Sequence, residues 1–268
     1  MRIDKILKYD AYLRLSSLLD QQRPVGAEPA HDELSFITIH QVCELWFKVL
    51  LYELTDARDR MLEGETYLPR VRLRRCLAIQ RVLHDQMNVL DTMTPRAFQD
   101  FRGALGGASG FQSVQFREIE FISGLKDPHW PARMRGLSAA DRVRLRRRLA
   151  EPTLWDGFLA VLAASGFDVS DRSCRYAAYD KIEANPEEHA ALWELAHALV
   201  EHDQAWSLWR SRHALVAERQ IGGRPGTGGS AGVAYLRARV DHRFYPELWD
   251  AWAAAEPELE TDVSRAAP

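Results

Sequence analysis

The chain has 268 residues, 46% hydrophobic and 27% charged, which argues against disorder or a fibre. Thirty-five Lys and Arg against 38 Asp and Glu leave a net charge of −3, so no whole-protein field would draw in nucleic acid or an anionic membrane. Cys43, Cys76 and Cys174 form no CxxC pair, which gives neither a zinc knuckle nor a dithiol site and fits a reducing cytoplasm.

From the N-terminus, Met1 to Leu15 alternate charged and apolar residues, unlike a secretory leader. No uninterrupted run of about 18 apolar residues predicts a membrane span. From Leu34 to Met61 a long helix is expected, because His40, Cys43, Phe47, Leu50 and Leu54 step by three and four along one face. A second amphipathic segment runs from Pro69 to Met93 and stops at Thr94-Pro95, a signal that ends one helix and starts another. A short helical piece, Phe98 to Leu105, leads into the small-residue turn Gly106 to Gly110, and a further helix passes through Gln115 and Glu120. Residues 126–136 read as a connection. Ser138 to Asp141 then match a capping box for a basic helix, Arg142 to Leu149.

A less regular region is expected from Gly166 to Asn185. Pro186 opens the longest periodic run, in which Leu192, Leu195, Leu199, His202, Trp206, Trp209, His213 and Val216 advance by three or four until Gly222-Gly223. A glycine-rich loop, Gly226 to Gly232, and a short closing segment complete the chain. The expectation is an all-α, single-domain helix bundle over residues 1–268.

Zinc chemistry is poorly served, since no HExxH occurs and His197 and His202 lie five apart on a helix. Haem needs only one axial imidazole on an apolar face, with its other ring nitrogen held by a partner. His213 continues the Trp206–Trp209 stripe, and His40 points along an apolar stripe on another helix, so two helices could set one histidine on each face of a porphyrin. Periodicity alone leaves both open as ordinary core histidines. Eight tryptophans and ten phenylalanines provide flat surface for a planar ligand or simply an aromatic core. The glycine-rich loop lacks the Gly-Lys-Ser/Thr of a phosphate loop and reads better as a mobile segment closing over a ligand. Arg142, Arg144, Arg146, Arg147 and Arg148 read as a solvated face in preference to a nucleic-acid patch, because no aromatics interleave them. No G-x-S-x-G elbow points to a serine nucleophile.

Five stretches carry a family resemblance. They are Phe36 to Gln41 with Glu44 to Lys48; Phe101-Arg102 through Ala108 to Ser113; Trp209 through Arg212-His213 to Glu218-Arg219; Pro225 to Ser230 through Gly232-Val233; and Tyr245 to Trp249. In this order they resemble the tryptophan 2,3-dioxygenases, from Tyr9 to Trp249. The resemblance implies a ferrous haem b with dioxygen as co-substrate, a helical fold enclosing the haem, and a homotetramer. It makes His213 the proximal iron ligand and His40 the distal histidine that accepts a hydrogen bond from the indole N–H. Arg102, expected to be buried, clamps the substrate carboxylate. Thr227 binds the polar end of the amino acid, Phe36 packs on the indole, and Ser109 and Phe98 join the substrate-binding set. Tyr9, Tyr12 and Leu13, in an N-terminal segment of residues 1–30, match a stretch that helps cover a neighbouring subunit's site. The mobile loop becomes 222–234.

The implied reaction inserts both atoms of dioxygen across the indole C2–C3 bond of L-tryptophan, giving N-formylkynurenine, in the cytoplasm and with no nucleic acid or membrane partner. Two departures bear on this. Phe98 stands where many family members carry a tyrosine whose hydroxyl can bind the carboxylate, and Gly107 stands where proline is usual. They keep a second reading in play: a relative from secondary metabolism that inserts one oxygen into a substituted tryptophan to give a 2-oxindole. A haem-binding sensor or carrier, and a cofactor-free helical interaction protein using the Arg142–Arg148 face, are the rivals from other classes.

Overall fold

The computed structural model describes residues 8–25, 28, 30–134 and 136–254. Of the expected N-terminal segment, residues 1–7, 26, 27 and 29 lie outside them. Two short helices, α1 (Tyr9–Leu13) and α2 (Leu15–Leu18), precede the long α3 (Glu33–Leu62). Then come α4 (Tyr67–Asp85), α5 (Met87–Leu90), α6 (Pro95–Arg102), α7 (Val114–Ser123), α8 (Trp130–Arg133), α9 (Ala139–Ala150), α10 (Leu154–Ala164) and α11 (Arg172–Ala184). The chain ends with α12 (Ala190–Ile221), α13 (Val233–Ala238) and α14 (Pro246–Ala254). The fold is all-α, as expected, with no strand among the described residues.

Local chemistry sets many boundaries. Thr94 Oγ1 accepts from Ala97 N at 3.2 Å and Pro95 starts α6, because proline's missing N–H is one the first turn leaves unpaired anyway. Ser138 Oγ accepts from Asp141 N at 3.0 Å at the start of α9. Gly222, at φ +54°, ends α12 in a backbone region that suits glycine. The amphipathic segment after Pro69 is two helices rather than one. Gln86 ends α4 and starts α5, and the Val89 N–H reaches back only three residues to its carbonyl at 3.0 Å, a 3₁₀-like tightening that interrupts the helix.

The region expected to be irregular contains α11. Asp171 Oδ1 caps it by accepting from Cys174 N at 2.8 Å, but its buried face is only Ala178, Tyr179 and Ile182, too sparse to stand out among charged neighbours. No element was assigned before it, where α10 lies. This helix is apolar almost all round and packs closely on α3: a Cβ on Gly157 would sit 2.9 Å from Met61 Cβ.

The core is built by α3, α4 and α12, with α7 and α10 against α3. Among the described residues, α3 is the one helix long and apolar enough to cross a bilayer, although charged residues interrupt its apolar run. Here its apolar residues pack against those neighbours, while its buried Glu53 and Arg58 pair with Arg75 and Glu151. The basic helix α9 is also tied inward. Arg144 and Arg148 reach the buried Glu118 of α7, and Arg147 and Arg148 pair with Glu151.

Near the middle of α12, Asp203 is fully buried. Its Oδ2 accepts from Phe244 N at 2.8 Å, Tyr245 N at 3.3 Å and Trp249 Nε1 at 3.0 Å, which pins α14 to the bundle. Next to it, burial pushes the pKa of His202 down to about 3, and its Nε2 lies 3.1 Å from Ser123 Oγ. Asp203→Ala leaves two buried donors and one part-buried donor unpaired and is expected to cost about 3 kcal/mol of unfolding free energy. Urea denaturation reads this; a loss below about 1 kcal/mol would mean that the donors find other acceptors.

Candidate active site

The helical spacing of α3 and α12 turns His40 and His213 into the same region. Desolvation is the largest influence on both rings, yet both residues keep accessible surface. They therefore sit partly accessible at the edge of the core and are not sealed within it. The pKa of His213 falls to about 4, first through burial and then through repulsion from the His40 ring, so the two rings are within electrostatic reach of each other. Burial also lowers His40, partly opposed by its hydrogen bond to Phe36 and by the charge of Glu44. Both imidazoles are neutral near pH 7.

The proton on His40 can be placed. Its Nδ1 lies 2.7 Å from the Phe36 carbonyl oxygen, and a carbonyl only accepts, so Nδ1 carries the hydrogen and Nε2 is left with a lone pair. One turn further along α3, buried Cys43 takes a hydrogen bond from Gln86 Nε2 at 2.7 Å. Burial raises its thiol to about 12, which keeps it protonated and inert.

Two aromatic groups wall the region. On the His213 side, Trp209 lies 5.2 Å from the His213 ring, and Trp206, Phe116 and Phe47 pack around Trp209 at 5.3–6.5 Å. On the His40 side, Phe36 lies 4.2 Å from the His40 ring, 5.7 Å from Phe98 and 5.3 Å from Phe101. Phe101 belongs to this wall although sequence reasoning did not single it out; its position three residues after Phe98 on a two-turn helix was the available signal.

The polar end comes from α6, the turn after it and the glycine-rich loop. Arg102 is half-buried, not buried as expected, because it ends α6 at the surface. Its Nη2 donates to the Pro225 carbonyl at 2.7 Å, and Thr227 Oγ1 donates to the Ala108 carbonyl at 2.6 Å. The two segments thus grip each other reciprocally. Ser109 caps the short 3₁₀ turn at Gly110–Gln112 and lies beneath Gly228, where a Cβ would come within 2.6 Å of Ser109 Cβ. Glycine is needed here for close approach.

Tyr9, Tyr12 and Leu13 do not join this cluster. They lie on α1 with Tyr9 74% and Tyr12 70% exposed, and α1 has no buried residue.

The residues suit a haem. His213 offers a neutral imidazole with no hydrogen-bond partner among the described residues, so the expected partner for its second ring nitrogen is missing and packing on Trp209 orients the ring. The Trp206 and Trp209 indole N–H groups, in the aromatic group on the His213 side, are buried without an acceptor.

A family model for tryptophan 2,3-dioxygenase matches residues 2–150 and 168–254. Among curated relatives, a tryptophan 2,3-dioxygenase of Nocardioides sp. is 49% identical over 252 residues, 91% of this chain and 92% of that protein. One of Herpetosiphon aurantiacus is 38% identical, covering 92% and 98%, and one of Myxococcus xanthus is 37% identical, covering 93% and 90%.

Gly228→Val should lift the loop off Ser109. Amide hydrogen exchange at Gly226 and Gly229, both bonded within the loop, is expected to run several-fold faster than in the parent protein while the global unfolding transition stays in place; unchanged exchange would show that the contact does not hold the loop.

Proposed function

The chain belongs to the tryptophan 2,3-dioxygenase family, and we propose that it binds haem b and oxidises the indole ring of L-tryptophan with dioxygen, cleaving C2–C3 to give N-formylkynurenine. The supporting observation is the pairing of a neutral His213, free to ligate, with a neutral His40 whose Nε2 lone pair is free. His213 would hold the haem. When bound, the haem supplies ferrous iron to activate dioxygen, and both oxygen atoms end in the product, so no external reductant is consumed.

The protein's part is orientation and exclusion of water. His40 Nε2 accepts the indole N–H, while Phe36 and Phe98 lie against the ring. The substrate carboxylate replaces the Pro225 carbonyl on Arg102, where a guanidinium can make two parallel charge-assisted bonds. Thr227 serves the polar end of the amino acid, and Ser109 supports the loop that carries Thr227. The loop opens for exchange. We further propose a single-domain cytoplasmic homotetramer in which the exposed Tyr9, Tyr12 and Leu13 cover a neighbouring subunit's site.

Phe98 favours a second reading. It is buried against Phe36 and Phe101 and has no hydroxyl to share the carboxylate with Arg102. A protein with this wall suits a substituted tryptophan, into which one oxygen is inserted to give a 2-oxindole with an added reductant.

Mass spectrometry of the product from haem-loaded protein, L-tryptophan and oxygen separates the two. A gain of two oxygen atoms is expected; a gain of one, or turnover only of a substituted tryptophan, would transfer the protein to the second reading. His213→Ala is expected to abolish stoichiometric haem retention, and full incorporation would refute its role as ligand.

A further inference from the structure

The motif around His213 contains two arginines that the site does not use. Arg212 and Arg219 lie seven residues apart on α12, two turns along one face, and they flank His213. Both turn to Asp91. Arg212 Nη2 donates to Asp91 Oδ2 at 2.9 Å and to Asn88 Oδ1 at 3.0 Å. Arg219 Nη1 donates to Asp91 Oδ1 at 3.0 Å and to the Asp91 carbonyl at 2.9 Å. Immediately beyond, Gln220 Nε2 donates to the Met93 carbonyl at 2.6 Å.

Three side chains of α12 therefore hold the link between α5 and α6. What they hold is short. Thr94 caps α6, and the eight residues of α6 carry Phe98 and end at Arg102. The stretch of α12 that presents His213 thus also places the start of the helix that presents Arg102. Asp91 is the joint, because its two carboxylate oxygens are taken by different arginines, and rotating the link breaks at least one bond. Its side chain is 23% exposed and those of Arg212 and Arg219 27% and 54%, so solvent screens these pairs and they add little to global stability. Their directionality is what remains.

We propose that Asp91 is a positioning residue for the reaction: it fixes the Arg102 guanidinium relative to His213, and hence the substrate carboxylate relative to the indole site. This rests on the function proposed above.

The test measures L-tryptophan binding to haem-loaded protein by the shift of the Soret band, together with apparent KM and kcat for L-tryptophan and for tryptamine, which lacks the carboxylate. Asp91→Ala is expected to raise the Kd and KM for L-tryptophan about fivefold or more, with haem content, the unliganded spectrum and tryptamine kinetics as in the parent. Asp91→Asn, which keeps one acceptor, should recover part of the loss. Arg102→Ala by itself should weaken L-tryptophan about tenfold or more, and adding Asp91→Ala to it should change nothing further, since two residues acting through one contact are not additive. Arg219→Met, altered at a half-exposed side chain, should show a smaller rise in Kd and serves where Asp91→Ala does not fold.

Unchanged L-tryptophan binding would overturn the proposal. So would an equal loss in the Arg102→Ala background, or a loss that falls equally on tryptamine or on haem content, each of which marks a general structural role. If the parent turns over neither indole, the proposed reaction fails, while the binding comparison still decides the role of Asp91.

Discussion

Thirty-two residues of unbroken helix in α12, about 48 Å long at 1.5 Å per residue, set the frame for everything else. Asp203 near the middle anchors the C-terminal helix, His213 faces His40, and Arg219 and Gln220 hold the approach to α6. A kink anywhere between Asp203 and Gln220 would change these relations together. The glycines that end the helix at Gly222 and Gly223 release the chain where it must fold back across the site.

The electrostatics follow from the same packing. Embedding His40 and His213 among aromatic side chains removes water, and neither can then hold a charge cheaply. A neutral imidazole is what the metal ligation proposed for His213 would require and what the hydrogen-bond acceptance proposed for His40 would require. The second requirement is met by the backbone of α3 itself: the Phe36 carbonyl, one turn before His40, takes the Nδ1 hydrogen. Tautomer and orientation are both set by residues four apart on one helix, without a dedicated side chain.

The sequence carried the parts of this arrangement that depend on helical period and local capping. The long α3 and α12, the stop at Thr94-Pro95 and the Ser138 cap were all readable, because each is written within one turn or one face. Neighbouring motif segments also proved to be neighbours in space, as with Ser109 under Gly228. Three things were not readable. The broken run at Gln86 needs the tertiary path of α4, and α11 buries too few residues to show a stripe. The Asp91 joint links residues more than a hundred positions apart, so no local spacing marks it. Arg102 was misjudged as buried because its environment depends on where α6 meets the surface.

If Arg102 takes the substrate carboxylate, as proposed, the reciprocal grip between Arg102 and Pro225, and between Thr227 and Ala108, gives the site a built-in competitor. A carboxylate arriving at Arg102 would exchange one acceptor for another, so its net affinity would be a difference between two hydrogen-bonded states and not the full strength of either. The same exchange would work in reverse when a product leaves, since the Pro225 carbonyl is tethered nearby and at high local concentration. A single backbone group would thereby weaken binding and quicken release, in a loop whose glycines suit a change of conformation.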